Sequence, residues 1–192
     1  MKYLKMLGLA AVAAMALMAF AAGSASATTL ATSGVAVNSS ETIVATLASG
    51  TSALLKDSAG TTTDTCTTSE VKGKTTVFTG TPSGPIETLT FGNCTHTTTV
   101  LAKGTLSVTN IAGTTNGTVS SANAEVTVVS TAFGISAVCK TGTGTDIGTL
   151  TGVKTGKATM DINGKISCGI LGSSTWTGTY TVTSPENLGV EA

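Results

Sequence analysis

The chain has 192 residues, ten lysines and no arginine against ten acidic residues, and only 10% of it is charged. It has no basic stripe to release counterions from phosphates, which excludes a nucleic-acid binder. A hydrophobic fraction of 41% at near-zero net charge is the reverse of a disordered composition.

The chain opens with Lys2 and Lys5, continues through an unbroken apolar segment at 6–22 and reaches Ala25-Ser26-Ala27. This order predicts an N-terminal secretory signal helix over 1–27, cut after Ala27. The apolar run is shorter than the ~20 residues of a comfortable bilayer span. No cysteine follows the cut directly and no second apolar run exists, so no membrane span is expected after cleavage. Residues 28–192 are then a single domain, large enough to bury a core. Without Lys2 and Lys5 the balance is eight lysines against ten acids, a net charge of about −2. About forty threonines supply solubility and, being β-branched, suit a pleated, half-exposed surface. Aromatic residues in 28–192 are few (Phe78, Phe91, Phe133, Trp176 and Tyr180), so the core must be mainly Val, Ile, Leu and Ala.

No stretch of 28–192 sustains a period of 3.6. Short β-type runs follow one another at 34–38, 42–48, 52–57, 62–71, 74–80, 86–92, 98–102 and 104–111. They continue at 124–130, 135–140, 147–153, 157–161, 165–169 and 174–183. Turn signals stand at 81–85 (TPSGP), 114–117 (TTNG) and 163–164 (NG). Many short strands with close turns predict an all-β fold, an antiparallel sandwich or barrel.

Four cysteines, Cys66, Cys94, Cys139 and Cys168, in an exported chain read as disulfides. Of the three connectivities, the nearly equal spacings of 28 and 29 favour Cys66 with Cys94 and Cys139 with Cys168, two similar stapled units. Each bridge is worth roughly 3–4 kcal/mol by loop entropy. Zinc is the rival, with Cys94 near His96, but the other thiols lack paired spacing. At 157–169 a three-residue loop, Ile162-Asn163-Gly164, gives a hairpin with one apolar face, Met160 opposite Ile166 and Ala158 opposite Cys168. In 174–183 the residues Thr175, Thr177, Thr179, Thr181 and Thr183 share one face, and Trp176, Tyr180 and Val182 the other, with Gly178 between the rings. The expected arrangement is an aromatic face on the core and a wet threonine face. The alternative is that the threonine row is a binding surface.

The stretch TGTGTDIGTLTG, 141–152, resembles two glycine-rich motifs. A dinucleotide loop would need its third glycine one place earlier and a helix after it. A calcium repeat fits Gly142, Gly144 and Asp146, but needs tandem copies. A turn is expected here, with Asp146 a weak calcium candidate and no cofactor. Catalysis finds little support. The lone His96 reads as a turn histidine, no G-x-S-x-G elbow exists, and nothing marks a pair among Asp64, Glu70, Glu87 and Glu125. Asn38, Asn93 and Asn116 match the glycosylation pattern at the frequency expected in so Thr-rich a chain.

The segments LKMLGLAAVAAMALMAFAA, DTCTTSEVKGKT, LTFGNCT, GTGTDIGTLTG and YTVTSP resemble a family of small secreted, four-cysteine, Thr/Gly-rich proteins of high-GC Gram-positive bacteria. The resemblance runs along nearly the whole chain. It implies an exported bacterial β protein and brings no catalytic residues. Together these readings predict a secreted, non-catalytic β domain acting at or outside the cell surface as a binding or structural module. Its partner would be a cell-surface component or a second copy of itself. Three other readings are a subunit of an extracellular fibre or adhesive layer, a water- or ice-ordering surface, and a carbohydrate-active hydrolase.

Overall fold

The computed structural model describes residues 27–130 and 134–192. The predicted signal segment, apart from Ala27, and Phe133 lie outside these residues. In chain order the strands are β1 (Thr28–Thr32), β2 (Val35–Ala36), β3 (Thr42–Leu47), β4 (Ala53–Lys56), β5 (Thr62–Lys74), β6 (Thr79–Gly80), β7 (Ser83–Cys94) and β8 (Thr97–Ala102). They continue with β9 (Thr105–Asn110), β10 (Gly117–Ala122), β11 (Glu125–Ser130), β12 (Ile135–Lys140), β13 (Thr145–Thr151), β14 (Thr159–Ser167), β15 (Ser173–Ser184) and β16 (Leu188–Glu191).

These strands assemble into an antiparallel barrel of eight staves, met around the ring in sequence order. The staves are β3 with β4, β5, β7, β8 with β9, β10 with β11, β12 with β13, β14, and β15. Four staves are thus broken into two strands each. Pairing carries through the breaks: β9 pairs β10 as β8 pairs β11, and β10 pairs β13 as β11 pairs β12. At the last of these breaks the Thr141 N–H donates to the Ala124 carbonyl at 3.0 Å. The ring closes where β15 pairs with both β3 and β4. This is an up-and-down meander, which by closing on itself leaves few free sheet edges, the side of β8 that faces β7 being one.

The two chain ends form a separate small sheet, β16–β1–β2, with β6 also on β1. It covers one end of the barrel, the base, and packs Leu30, Leu188 and Val190 into the core with Val119, Leu150 and Val182. Each such fully buried aliphatic side chain contributes about 1.5–3 kcal/mol. The opposite end, the rim, carries the turns at 57–61, 95–96 and 168–172 and both disulfides.

Both disulfides have the predicted connectivity, Cys66–Cys94 and Cys139–Cys168. Each closes the open end of one antiparallel hairpin, β5–β7 or β12/β13–β14. That shared geometry explains the nearly equal spacings of 28 and 29 residues. The staples lie between the second and third staves and between the sixth and seventh, on opposite sides of one rim.

The predicted hairpin at Asn163-Gly164 is corrected by the structure. β14 runs straight through these residues and pairs with β15 from Thr159↔Thr181 to Ser167↔Ser173. The turn comes later, at a short 3-10 segment, Gly169–Leu171. Burial alternates without a break: Met160, Ile162 and Gly164 point inward, and Asp161, Asn163 and Lys165 outward. Gly164 serves close packing. A Cβ there would lie 2.7 Å from the Ile147 Cα, where β13 leaves the ladder and crosses it. The predicted turn at 81–85 is also partly strand, because β7 starts at Ser83 and pairs Pro85 with Thr105. The predicted strand at 74–80 keeps only its ends, with Val77 and Ser83 forming an isolated bridge.

No helix among the described residues is long and apolar enough to cross a membrane. The outward positions of β14 and β15 are threonine, Asp161, Asn163 and Lys165, not the apolar outer band of a membrane barrel.

Candidate functional site

The rim half of the barrel encloses the site. An eight-stranded barrel has an interior just wide enough to be filled by side chains or to hold one small ligand. Here the filling is incomplete. Beneath β11 and β12 lies a cavity of about 100 Å³, walled by side chains that include Phe91, Val126, Ile147, Ile162, Trp176 and Tyr180. A second cavity, of about 80 Å³, lies toward the base and shares Val71, Ile86, Leu106 and Met160 with the first. Interiors otherwise pack like organic crystals. An apolar void of this size costs about 2 kcal/mol, and its lining gives water too few partners to fill it.

The aromatic side of the wall comes from the alternation foreseen in β15. Tyr180 and Val182 are each only 2% exposed, and Trp176 is half-buried. The Trp176 ring leans on Phe91, with centroids 4.5 Å apart at 59°. Gly178 leaves room for the Tyr180 ring, whose Cε2 would lie 3.2 Å from a Cβ at that position. The Tyr180 hydroxyl reaches past the first stave to Ser69 Oγ of β5 at 3.0 Å. Burial raises the Tyr180 phenol above its ordinary value, opposed by hydrogen bonds to Ser69 and Trp176. A second hydroxyl pair, Ser121 Oγ and Thr141 Oγ1 at 3.3 Å, lies in the same wall, and Thr141 Oγ1 also accepts the Ala124 N–H at 2.9 Å. The charged residue at the wall, Lys140, is paired with Glu125 at 3.0 Å.

The roof strands are fastened at both sides. On one side β12 meets β14 through the single ladder pair Lys140↔Ser167 and the Cys139–Cys168 bridge. On the other, Asp64 acts as a latch. The residue is 3% exposed, and its carboxylate accepts the backbone N–H groups of Thr65 and His96 at 2.9 and 3.0 Å and the Thr98 hydroxyl at 2.6 Å. That carboxylate ties β8 and its turn to β5.

One opening remains in the wall. β7 pairs with β9 only over Ser83–Pro85, and β8 pairs only with β11 among the described strands. The base end of the opening is closed by Ile86 N–H donating to the Gly104 carbonyl at 3.0 Å and by Lys103 Nζ donating to the Glu87 carbonyl at 2.6 Å. The rim end is closed by the turn at Thr95 and His96. Between these, residues 88–93 and 97–102 share no ladder pairing. Leu89 and Phe91 border this slot and also line the cavity.

The other sequence candidates do not converge. Thr175, Thr177, Thr179 and Thr181 are half-buried on the outer wall, Thr183 is exposed, and Thr179 donates to Asp161 at 2.8 Å. Threonines do align across strands: Thr109, Thr118 and Thr149 continue to Asp161 and Thr179. A closed ring of eight staves turns by about 45° per stave, so this row is curved. Asp146 is exposed and accepts the Gly148 N–H at 3.1 Å, in the turn and bulge that begin β13, where Gly144 has φ +65°. Among the described residues the group with metal-ligand spacing is Asp64, Cys66 and Cys94, but both sulfurs are in the bridge and the carboxylate is taken up by its donors. Glu87 stands 4.0 Å from Lys72 on the outer wall, and Glu125 is the partner of Lys140. His96 contributes its backbone to the Asp64 latch. Asn116 Oδ1 accepts the Gly152 N–H at 3.1 Å, while Asn38 and Asn93 are exposed.

Sequence reasoning took Asp64 only as a possible acid. Its spacing of two from Cys66 was a usable signal, because it places both on one face of β5. Nothing local marked Ser69, Ser121 or Thr141. With the site described, the comparisons add no relative: no protein-family model, curated protein or solved structure matches this chain.

Proposed function

We propose that this protein is a secreted, non-catalytic β-barrel module that binds its ligand outside the cell or at its surface. The observation that carries the reading is the apolar cavity beneath the stapled roof, the larger of the two described places where the barrel leaves its interior unfilled. Supporting it, two disulfides are consistent with an oxidising compartment. The buried carboxylate, Asp64, is committed to holding β8. The test is to purify the protein from culture medium, extract it with organic solvent and analyse the extract by mass spectrometry. A single compound recovered in stoichiometric amount supports the reading. Chemical conversion of an offered compound, or glycan cleavage on a panel, would replace it with an enzymatic one.

A second reading, self-association into a fibre or layer, is favoured by the unpaired edge of β8 with its exposed Leu101. Assemblies on a sizing column that vanish with Leu101→Lys would support it, and a monodisperse monomer counts against it.

A further inference from the structure

The cavity's chemistry narrows the ligand class, an inference that rests on the binding reading above. We infer that the site takes a small, uncharged, mostly apolar molecule of about one ring, bearing at most one hydrogen-bond acceptor. Size comes first. An apolar cavity of about 150 Å³ takes up benzene. The cavity here is about 100 Å³ and abuts the second lobe of about 80 Å³ across the unbranched Met160 side chain, which can shift. Shape comes next. Trp176 and Phe91 offer aromatic faces on one side, and Val126 and Ile147 offer aliphatic ones.

Polarity decides the rest. Ser121 and Thr141 carry two hydroxyl protons, and the bond between them uses one. The Ala124 N–H occupies a lone pair of Thr141, not a proton. One hydroxyl proton is therefore left at the wall to meet an acceptor on the ligand. In the first cavity a charged ligand finds no free partner, because Lys140 is already bound to Glu125, Lys74 at the second lobe is solvent-exposed, and an unpaired charge is not tolerated in an apolar interior. The slot between β7 and β8 is the route in, since Leu89 and Phe91 belong to both slot and cavity.

Trp176 is the only tryptophan in the chain and stands in the cavity wall, so its emission reports occupancy directly. The probes are toluene, phenol and benzoate, which share a ring and differ in the polar end. Toluene and phenol are expected to change Trp176 emission saturably, with dissociation constants within roughly tenfold of each other, the range one hydrogen bond can span. Benzoate is expected to give no saturable change. Val126→Leu should weaken both binders, and Val126→Phe, which fills the cavity, should abolish them. The melting temperature and far-ultraviolet spectrum of each variant establish that it is folded, and Val126→Leu carries the comparison if Val126→Phe does not fold. Responses equal in the variants and the parent, or none up to probe solubility, would overturn the cavity assignment and leave the binding reading to the extraction experiment. Toluene without phenol would overturn the acceptor-bearing class, and benzoate binding would overturn the uncharged one. Recovery of a chemically altered probe would instead refute the non-catalytic reading itself.

Discussion

Replacing Cys139 and Cys168 together by alanine tests how the roof of the cavity is held. Both residues are buried, at 4% and 0% exposure, among Leu55, Val128 and Trp176, so alanine leaves no unpaired hydroxyl as serine would. The bridge spans 29 residues. By loop-closure entropy its removal costs about 3.6 kcal/mol at 25 °C. For a chain of this size that lowers the melting temperature by about 7–14 °C. The structure also says where the loss appears. With the bridge gone, β12 keeps only the pair Lys140↔Ser167 on its β14 side. Amides of β11 and β12 should therefore exchange faster than those of β14 and β15, and Trp176 emission should shift to the red as the roof opens. The matching variant, Cys66→Ala with Cys94→Ala, removes a 28-residue loop and so costs nearly the same. Its strands, however, stay zipped along seven register pairs from Cys66 to Gly73, so no local opening is expected. Melting curves with hydrogen exchange read by mass spectrometry measure both effects. If the Cys139/Cys168 variant melts within 2 °C of the parent and β11–β12 stay protected, roughly the loss a 1 kcal/mol change gives, then the bridge does not hold the roof and the reasoning fails.

Asp64→Ala strands two backbone N–H groups and the Thr98 hydroxyl, a loss of about 2–4 kcal/mol by urea denaturation. Asp64→Asn keeps an acceptor for the backbone groups and lets the Thr98 hydroxyl reverse, so it should lose clearly less; equal losses would argue against the latch. Gly164→Ala forces a Cβ against the Ile147 backbone and should destabilise by about 1–3 kcal/mol. A neutral result would mean that β13 does not cross there. Tyr180 has a raised folded-state pKa. The unfolded chain then releases this proton first, so stability is unaffected below about pH 10 and falls as pH rises through the folded-state value. In the form that begins at residue 28 Tyr180 is the sole tyrosine, and its phenolate absorbance should appear together with unfolding; ionisation in the folded state at pH 10 would contradict its burial.

Much of the local structure was legible because a strand's facing depends only on residues two apart. The Trp176, Tyr180 and Val182 side of β15 reads directly from that period, and Cys168 is inward as expected, although the hairpin register used to place it does not form. The same parity runs unbroken from Ala158 to Cys168, and it argued for one long strand. The Asn163-Gly164 pair reads as a turn signal and misleads, because a glycine suits a close approach of two backbones as well as a tight turn. Equal cysteine spacings were readable because each bridge closes a hairpin of consecutive strands. Ring closure was not readable. It depends on β15 meeting β3 and β4, more than 100 residues earlier, and no local propensity encodes that pairing. Three strands went unassigned: 117–122, rich in small residues, and the two ends at 28–32 and 188–191, which form a sheet only with each other and with short neighbours. The glycine-rich stretch at 141–152 could be recognised as a turn leading into a strand. That Thr141 would stand beside Ser121 in the wall of a cavity was decided by the break between β12 and β13 and the closure of the barrel around it. Composition and alternation determined an all-β, disulfide-stapled chain; only the closed ring determined that its interior would stay partly empty, because a void arises from side chains of many staves converging on one axis.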